Sequence, residues 1–78
     1  PNPFNPSTTI KYEIPEAALV TIKVYDISGK EVATLVNENM NSGRYEVQFN
    51  GDNLSTGVFY YKLSAGNFTE VKKMILIK

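Results

Sequence analysis

The groups best suited to chemistry in this 78-residue chain are carboxylates, amides and lysines, because it contains neither Cys nor His. That excludes thiolate and imidazole metal sites, Ser-His-Asp and Cys-His nucleophile systems, imidazole pH switching and disulfide staples. Among the oxygen-bearing groups, Asn50, Asp52 and Asn53 make a short loop that a hard cation such as calcium could use. One carboxylate is too little charge for that cation, and Asn50-Gly51-Asp52-Asn53 is turn chemistry. Glu13 with Glu16, or Glu46 with Glu70, would be the paired acids of glycoside hydrolysis, which needs two carboxyl groups at a fixed separation across a cleft. Alternation puts Glu13 and Glu46 on wet sheet faces, and a domain this small offers little cleft, so solvated charge is the better reading. Asn53-Leu54-Ser55 and Asn67-Phe68-Thr69 fit the glycosylation acceptor pattern, a triplet too frequent by chance to carry weight. The unusual cluster is Lys72-Lys73 against Met74-Ile75-Leu76-Ile77-Lys78. It is either a core strand guarded by edge lysines against aggregation or a recognition tail exposed at the chain end.

Composition narrows the classes further. The chain is 42% hydrophobic and 21% charged, with eight Lys plus Arg against eight Asp plus Glu. Those proportions are those of a folded globular domain. Zero net charge removes the electrostatic footprint that nucleic acid or an anionic membrane surface would need. The longest apolar runs fall far short of the roughly 18 residues of a membrane-spanning helix. The expectation is a non-catalytic module with no cofactor and no metal.

The elements that would position these groups are strands. From Thr8 the apolar period is two: Ile10, Tyr12 and Ile14, then Val20, Ile22 and Val24 after the break at Pro15-Glu16-Ala17-Ala18. Asp26-Ile27-Ser28-Gly29-Lys30 has an acceptor side chain three residues before a glycine, the chemistry of a tight hairpin whose last residue is left-handed. Residues 31–36 form the return strand, with Val32 and one or both of Leu35 and Val36 inward and the frame slipping as in a bulge. Residues 37–43 read as a polar loop. Tyr45, Val47 and Phe49 restore the alternation, residues 50–57 cross to another sheet, and Phe59, Tyr61 and Leu63 continue it. Residues 64–67 turn the chain into a last strand over 68–77. Six such runs with no helical period describe an all-β antiparallel sandwich. Pro1-Asn2-Pro3-Phe4-Asn5-Pro6 and the missing initiator Met suggest a piece of a longer chain, with residues 1–7 an extended proline-rich opening and 8–78 the sandwich. A seventh strand could come from that opening or from a split of the last segment.

Four motifs in this order carry a resemblance: Pro1-Asn2-Pro3-Phe4-Asn5-Pro6-Ser7-Thr8-Thr9-Ile10; Val24-Tyr25-Asp26-Ile27-Ser28-Gly29-Lys30-Glu31-Val32; Leu54-Ser55-Thr56-Gly57-Val58-Phe59-Tyr60-Tyr61-Lys62-Leu63; and Lys72-Lys73-Met74-Ile75-Leu76-Ile77-Lys78. Over essentially its whole length the chain resembles the C-terminal sorting domain, type A, of proteins exported by the type IX (Por) secretion system. The immunoglobulin-like domain of the flagellar hook-capping protein is a related family. The resemblance implies an immunoglobulin-like β-sandwich of six to seven strands behind an upstream cargo domain. It implies a non-catalytic address by which cargo, in the periplasm in transit, crosses the outer membrane to the cell surface or the extracellular space. Partners implied are the outer-membrane secretion machinery and a sortase-like peptidase.

Carried over residue by residue, Asn2, Pro3 and Phe4 match the opening motif, Asp26, Gly29 and Lys30 the turn, and Gly57 the start of the penultimate strand. Phe59 stands where the family often has Tyr, so it supplies packing without a corner hydrogen bond. Lys73, Met74, Leu76 and Lys78 match the terminal motif, and the recognition segment is expected over Lys72, Lys73, Met74, Ile75, Leu76, Ile77 and Lys78. One strand register would bury Met74 and Leu76 and turn Ile75 and Ile77 outward as a docking edge. The alternative is a carbohydrate-binding or fibronectin-like accessory module with Tyr12, Tyr25 and Tyr60 as stacking platforms. It requires those rings to be coplanar, exposed and adjacent.

Overall fold

The computed structural model describes residues 6–78. Six strands follow one another: β1 (Ser7–Ile14), β2 (Ala18–Asp26), β3 (Glu31–Met40), β4 (Gly43–Asn50), β5 (Gly57–Ala65) and β6 (Phe68–Leu76). All pairings are antiparallel, with β1 and β4 forming one sheet and β3-β2-β5-β6 the other. This is the expected all-β sandwich, with no helix among the described residues. Asn2, Pro3 and Phe4 lie outside the described residues.

Period-two alternation builds the core. Ile10, Tyr12 and Ile14 from β1 face Val20, Ile22 and Val24 from β2 and Phe59, Tyr61 and Leu63 from β5, all buried. Burying each aliphatic side chain of this kind stabilises the fold by about 1.5–3 kcal/mol. The second strand lies between β3 and β5, and the 0% exposure of its three inward residues follows from that central place.

The slip in the frame of residues 31–36 is a pair of β-bulges. Ile22 pairs with Val36 but Lys23 with Thr34, and Val24 pairs with Ala33 but Tyr25 with Glu31, so Leu35 and Val32 are each an extra residue on β3. The slips leave Val36 buried and pack Val32 and Leu35 partly against the core.

Two sequence expectations need correction. Residues 37–40 are not loop: β3 continues to Met40, with Asn37 opposite Thr21, Glu38 opposite Val20, Asn39 opposite Leu19 and Met40 opposite Ala18. An edge strand needs a backbone ladder rather than buried side chains, so polar residues extend it without cost. Only Asn41 and Ser42 join β3 to β4, and the Tyr45 hydroxyl donates to the Asn41 carbonyl at 2.7 Å across that corner. The last strand ends at Leu76 rather than Ile77 and is not split.

Candidate functional site

Alternation along β6 sorts the expected recognition segment into two sets. Met74 and Leu76 point inward at 3% and 0% exposure. Ile75 is half-buried on the outer side, and Lys72, Lys73, Ile77 and Lys78 are exposed. From Lys72 to Leu76 the segment is therefore a core strand at the edge of the four-stranded sheet, paired with β5, and only Ile77 and Lys78 extend beyond it. Two contacts fix its end. The Lys78 backbone N–H donates to the Thr56 hydroxyl at 3.1 Å, and its ammonium donates to the Asp52 carbonyl. Both partners lie in the crossing between β4 and β5.

The same crossing presses on the strand from inside. A Cβ at Gly51 would stand 3.0 Å and 3.2 Å from the Leu76 methyl carbons and 3.2 Å from the Pro6 carbonyl oxygen. Glycine suits that position because its backbone packs closely on a buried leucine, and a larger residue would have to displace it. The Gly51 N–H donates to the Pro6 carbonyl at 2.8 Å, and the Asn50 side-chain oxygen accepts the Asp52 N–H at 2.8 Å. The loop considered for calcium thus uses its Asn50 oxygen to close a turn over the last strand. Asn50-Gly51 was legible as a turn, but its contact with Leu76 had no signal in the local sequence.

The remaining motif residues take structural places. Asp26 closes its hairpin as expected: one carboxylate oxygen accepts the Ser28 hydroxyl at 2.6 Å, the Ser28 N–H at 2.9 Å and the Lys30 N–H at 3.0 Å. The Ser28 hydroxyl, then the Lys30 N–H, hold that carboxyl below its ordinary range, with smaller help from the Ser28 N–H and the Lys30 charge. Gly29 has φ +90°, the left-handed residue the turn demands. Gly57 begins β5 opposite Leu76, and Phe59 is buried opposite Met74.

Of the candidate acids, Glu13, Glu16 and Glu46 are exposed and Glu70 is half-buried. Glu13 pairs with Arg44 across β1 and β4 at 3.8 Å on an exposed face. Glu46 lines an open groove of about 650 Å³ between the facing edges of β1 and β6, with Thr9, Lys11, Tyr61, Lys72 and Met74 among its other walls. Burial, with Glu70 adding to it, raises the Tyr61 hydroxyl above its ordinary pKa. Of the tyrosines considered as sugar platforms, Tyr12 is buried and stacked on Tyr45 with ring centroids 5.7 Å apart. It packs in the core because it lies in phase with Ile10 and Ile14. Tyr25 and Tyr60 are direct cross-strand partners on the outer face.

Compared with known proteins, residues 1–78 match the model of a family described as the secretion system C-terminal sorting domain. No curated protein and no solved structure matches the chain.

Proposed function

The chain belongs to the family of secretion system C-terminal sorting domains, and on that premise we propose that its address is read from the folded last strand. Domains of this family are the C-terminal sorting signals of type IX secretion cargo, so the chain sends the protein that carries it to the cell surface or the extracellular space. The family is in general non-catalytic and works through the secretion machinery. Membership displaces the carbohydrate-binding reading.

The observation that supports our reading is the division of β6. Met74 and Leu76 hold the strand in the core, while Lys72, Lys73, Ile77 and Lys78 remain on the surface with Ile75 between them. Recognition then falls on the exposed set, and the buried pair fixes its geometry. An outer-membrane component of the machinery reads this edge after the cargo has reached the periplasm, and a sortase-like peptidase acts once the cargo has crossed. The chain itself performs no chemistry, in keeping with an Asp26 carboxylate that closes a turn and Glu13 and Glu31 carboxylates in surface ion pairs.

The test separates recognition from folding. Deleting residues 73–78 removes two core side chains, so loss of export on deletion would report unfolding as readily as loss of a signal. The variant Lys72→Glu/Lys73→Glu/Ile77→Ser alters exposed positions only. Fused behind a fluorescent cargo in a host with type IX machinery, it should lose most export while melting within a few degrees of the wild type. Export at the wild-type level by the folded triple variant refutes the reading.

A further inference from the structure

The outer face of the four-stranded sheet carries an arrangement that neither the core nor the turns require. Across β2 and β5, three successive outward pairs match like with like: Thr21 opposite Ser64, Lys23 opposite Lys62 and Tyr25 opposite Tyr60. The Tyr60 position continues to Lys73 on β6, and Val58 pairs with Ile75 beside it. Ile27, in the hairpin at the same end, is 76% exposed. A shallow depression of about 140 Å³ opens among Thr21, Lys23, Tyr25, Lys62 and Ser64.

Like charges directly opposite in a sheet destabilise it. The chain has as many acidic as basic residues, so a carboxylate opposite Lys23 was available to its composition. Glu31 reaches Lys23 at 3.6 Å from the hairpin side, between half-exposed groups, but Lys62 makes no ion pair among the described residues. The depression therefore offers two ammonium groups and two hydroxyls, with an aromatic pair along one side. An anionic group seated there would relieve the Lys23–Lys62 repulsion and gain charge-assisted hydrogen bonds.

We propose that this face, centred on Lys23 and Lys62, docks an acidic protein surface of the export machinery, one of whose Asp or Glu carboxylates sits between the two ammonium groups. The proposal rests on the reading that the machinery recognises the folded domain, and it extends the recognised surface from β6 across β5 to β2. Protein is the occupant favoured over lipid. Lys23, Lys62 and Lys73 with Glu31 beside them are few against the roughly four to eight clustered basic residues that bind anionic membranes. The adjacent Tyr25 and Tyr60 supply the aromatic surface in which protein interfaces are enriched.

Lys62→Glu tests the proposal because its effects on folding and on export have opposite signs. Glutamate opposite Lys23 replaces repulsion with a cross-strand ion pair, so Tm should rise by about 1–5 °C. Export of a fused fluorescent cargo should nonetheless fall about tenfold, the effect of a disfavoured charge contact in a binding equilibrium. Selection for restored export should return an Asp→Lys or Glu→Lys change in an outer-membrane component. Should Lys62→Glu lower Tm instead, Lys62→Gln carries the test, with a loss of about threefold expected. Wild-type export by both variants overturns the proposal, and if the last-strand triple variant is still not exported, the reading it rests on stands. Failure of the wild-type fusion itself overturns both. Binding of the wild-type domain to phosphatidylglycerol vesicles, abolished by Lys62→Glu, would overturn the protein partner in favour of a membrane.

Discussion

The contact between Gly51 and Leu76 supports a double-mutant cycle. Leu76 is fully buried, so Leu76→Ala removes its transfer free energy and leaves a cavity, a loss of about 3 kcal/mol. A domain of 78 residues has a total stability of roughly 4–12 kcal/mol, so that loss is a quarter or more of the whole. The melting point should fall by about 12–24 °C. Gly51→Ala places a methyl 3.0 Å and 3.2 Å from the two Leu76 methyl carbons, which their buried surroundings hinder from moving. Its cost in the wild-type background is about 1–2 kcal/mol. In the Leu76→Ala background those carbons are gone, and of the three nearest atoms the Pro6 carbonyl oxygen at 3.2 Å remains. The second substitution should then cost less than about 0.5 kcal/mol, a coupling of about 0.5 kcal/mol or more. Urea unfolding of the four proteins, followed by circular dichroism, reads the cycle directly. Additive costs would refute the claim that the crossing and the last strand are packed as one unit.

Other outcomes follow from single groups. Asp26 has its pKa lowered from 3.8, so its contribution to stability is present above that pH and is lost as pH falls through the folded value. Asp26→Asn keeps an acceptor oxygen and removes the titration, so Tm measured from pH 2 to 7 should fall less on acidification than in the wild type; an equally steep fall contradicts this. Tyr61 and Tyr12 have raised pKa values, so the stability they contribute is present below pH 10.0 and is lost as pH rises through their folded values. Burial is the first cause for each, joined by Glu70 at Tyr61 and by Glu38 and then Tyr45 at Tyr12. The double variant Tyr12→Phe/Tyr61→Phe should hold its Tm further into alkali, by melting between pH 8 and 12, and a loss as early as the wild type's would count against it. Gly29→Ala forces a side chain into φ +90°, so it should cost about 1 kcal/mol by urea titration even though nothing lies within 4 Å of the new methyl. An unchanged midpoint would remove the backbone argument for that turn.

Much of this fold is legible because burial follows parity. Ile10, Tyr12, Ile14, Val20, Ile22, Val24, Phe59, Leu63, Met74 and Leu76 all fall where alternation puts them. The Asp26 turn is equally legible, since its acceptor, its glycine and their spacing are local. Residues 37–40 were opaque because polar side chains on an edge strand carry no burial signal, and pairing with Leu19, Val20 and Thr21 is non-local. Two bulges hid the register of β3 in the same way, and only the broken frame near Leu35 announced them. At the candidate site, the parity of Met74 and Ile75 was readable. That Lys78 folds back on Thr56 and Asp52, and that Gly51 covers Leu76, needed the crossing to be placed in space. Cross-strand matching of Lys23 with Lys62 was hidden for the same reason: it depends on the β2–β5 register, which links segments far apart in the chain.

Contact with the last strand is most directly tested by site-specific photocrosslinking during export. A photoreactive phenylalanine analogue replaces Ile77, exposed just beyond β6, or Glu16, exposed in the turn between β1 and β2, in cargo fusions that are secreted normally. Crosslinks from position 77 to an outer-membrane component, with none from position 16, are the predicted result. Crosslinks from position 16 to that component, with none from position 77, would contradict recognition at the last strand.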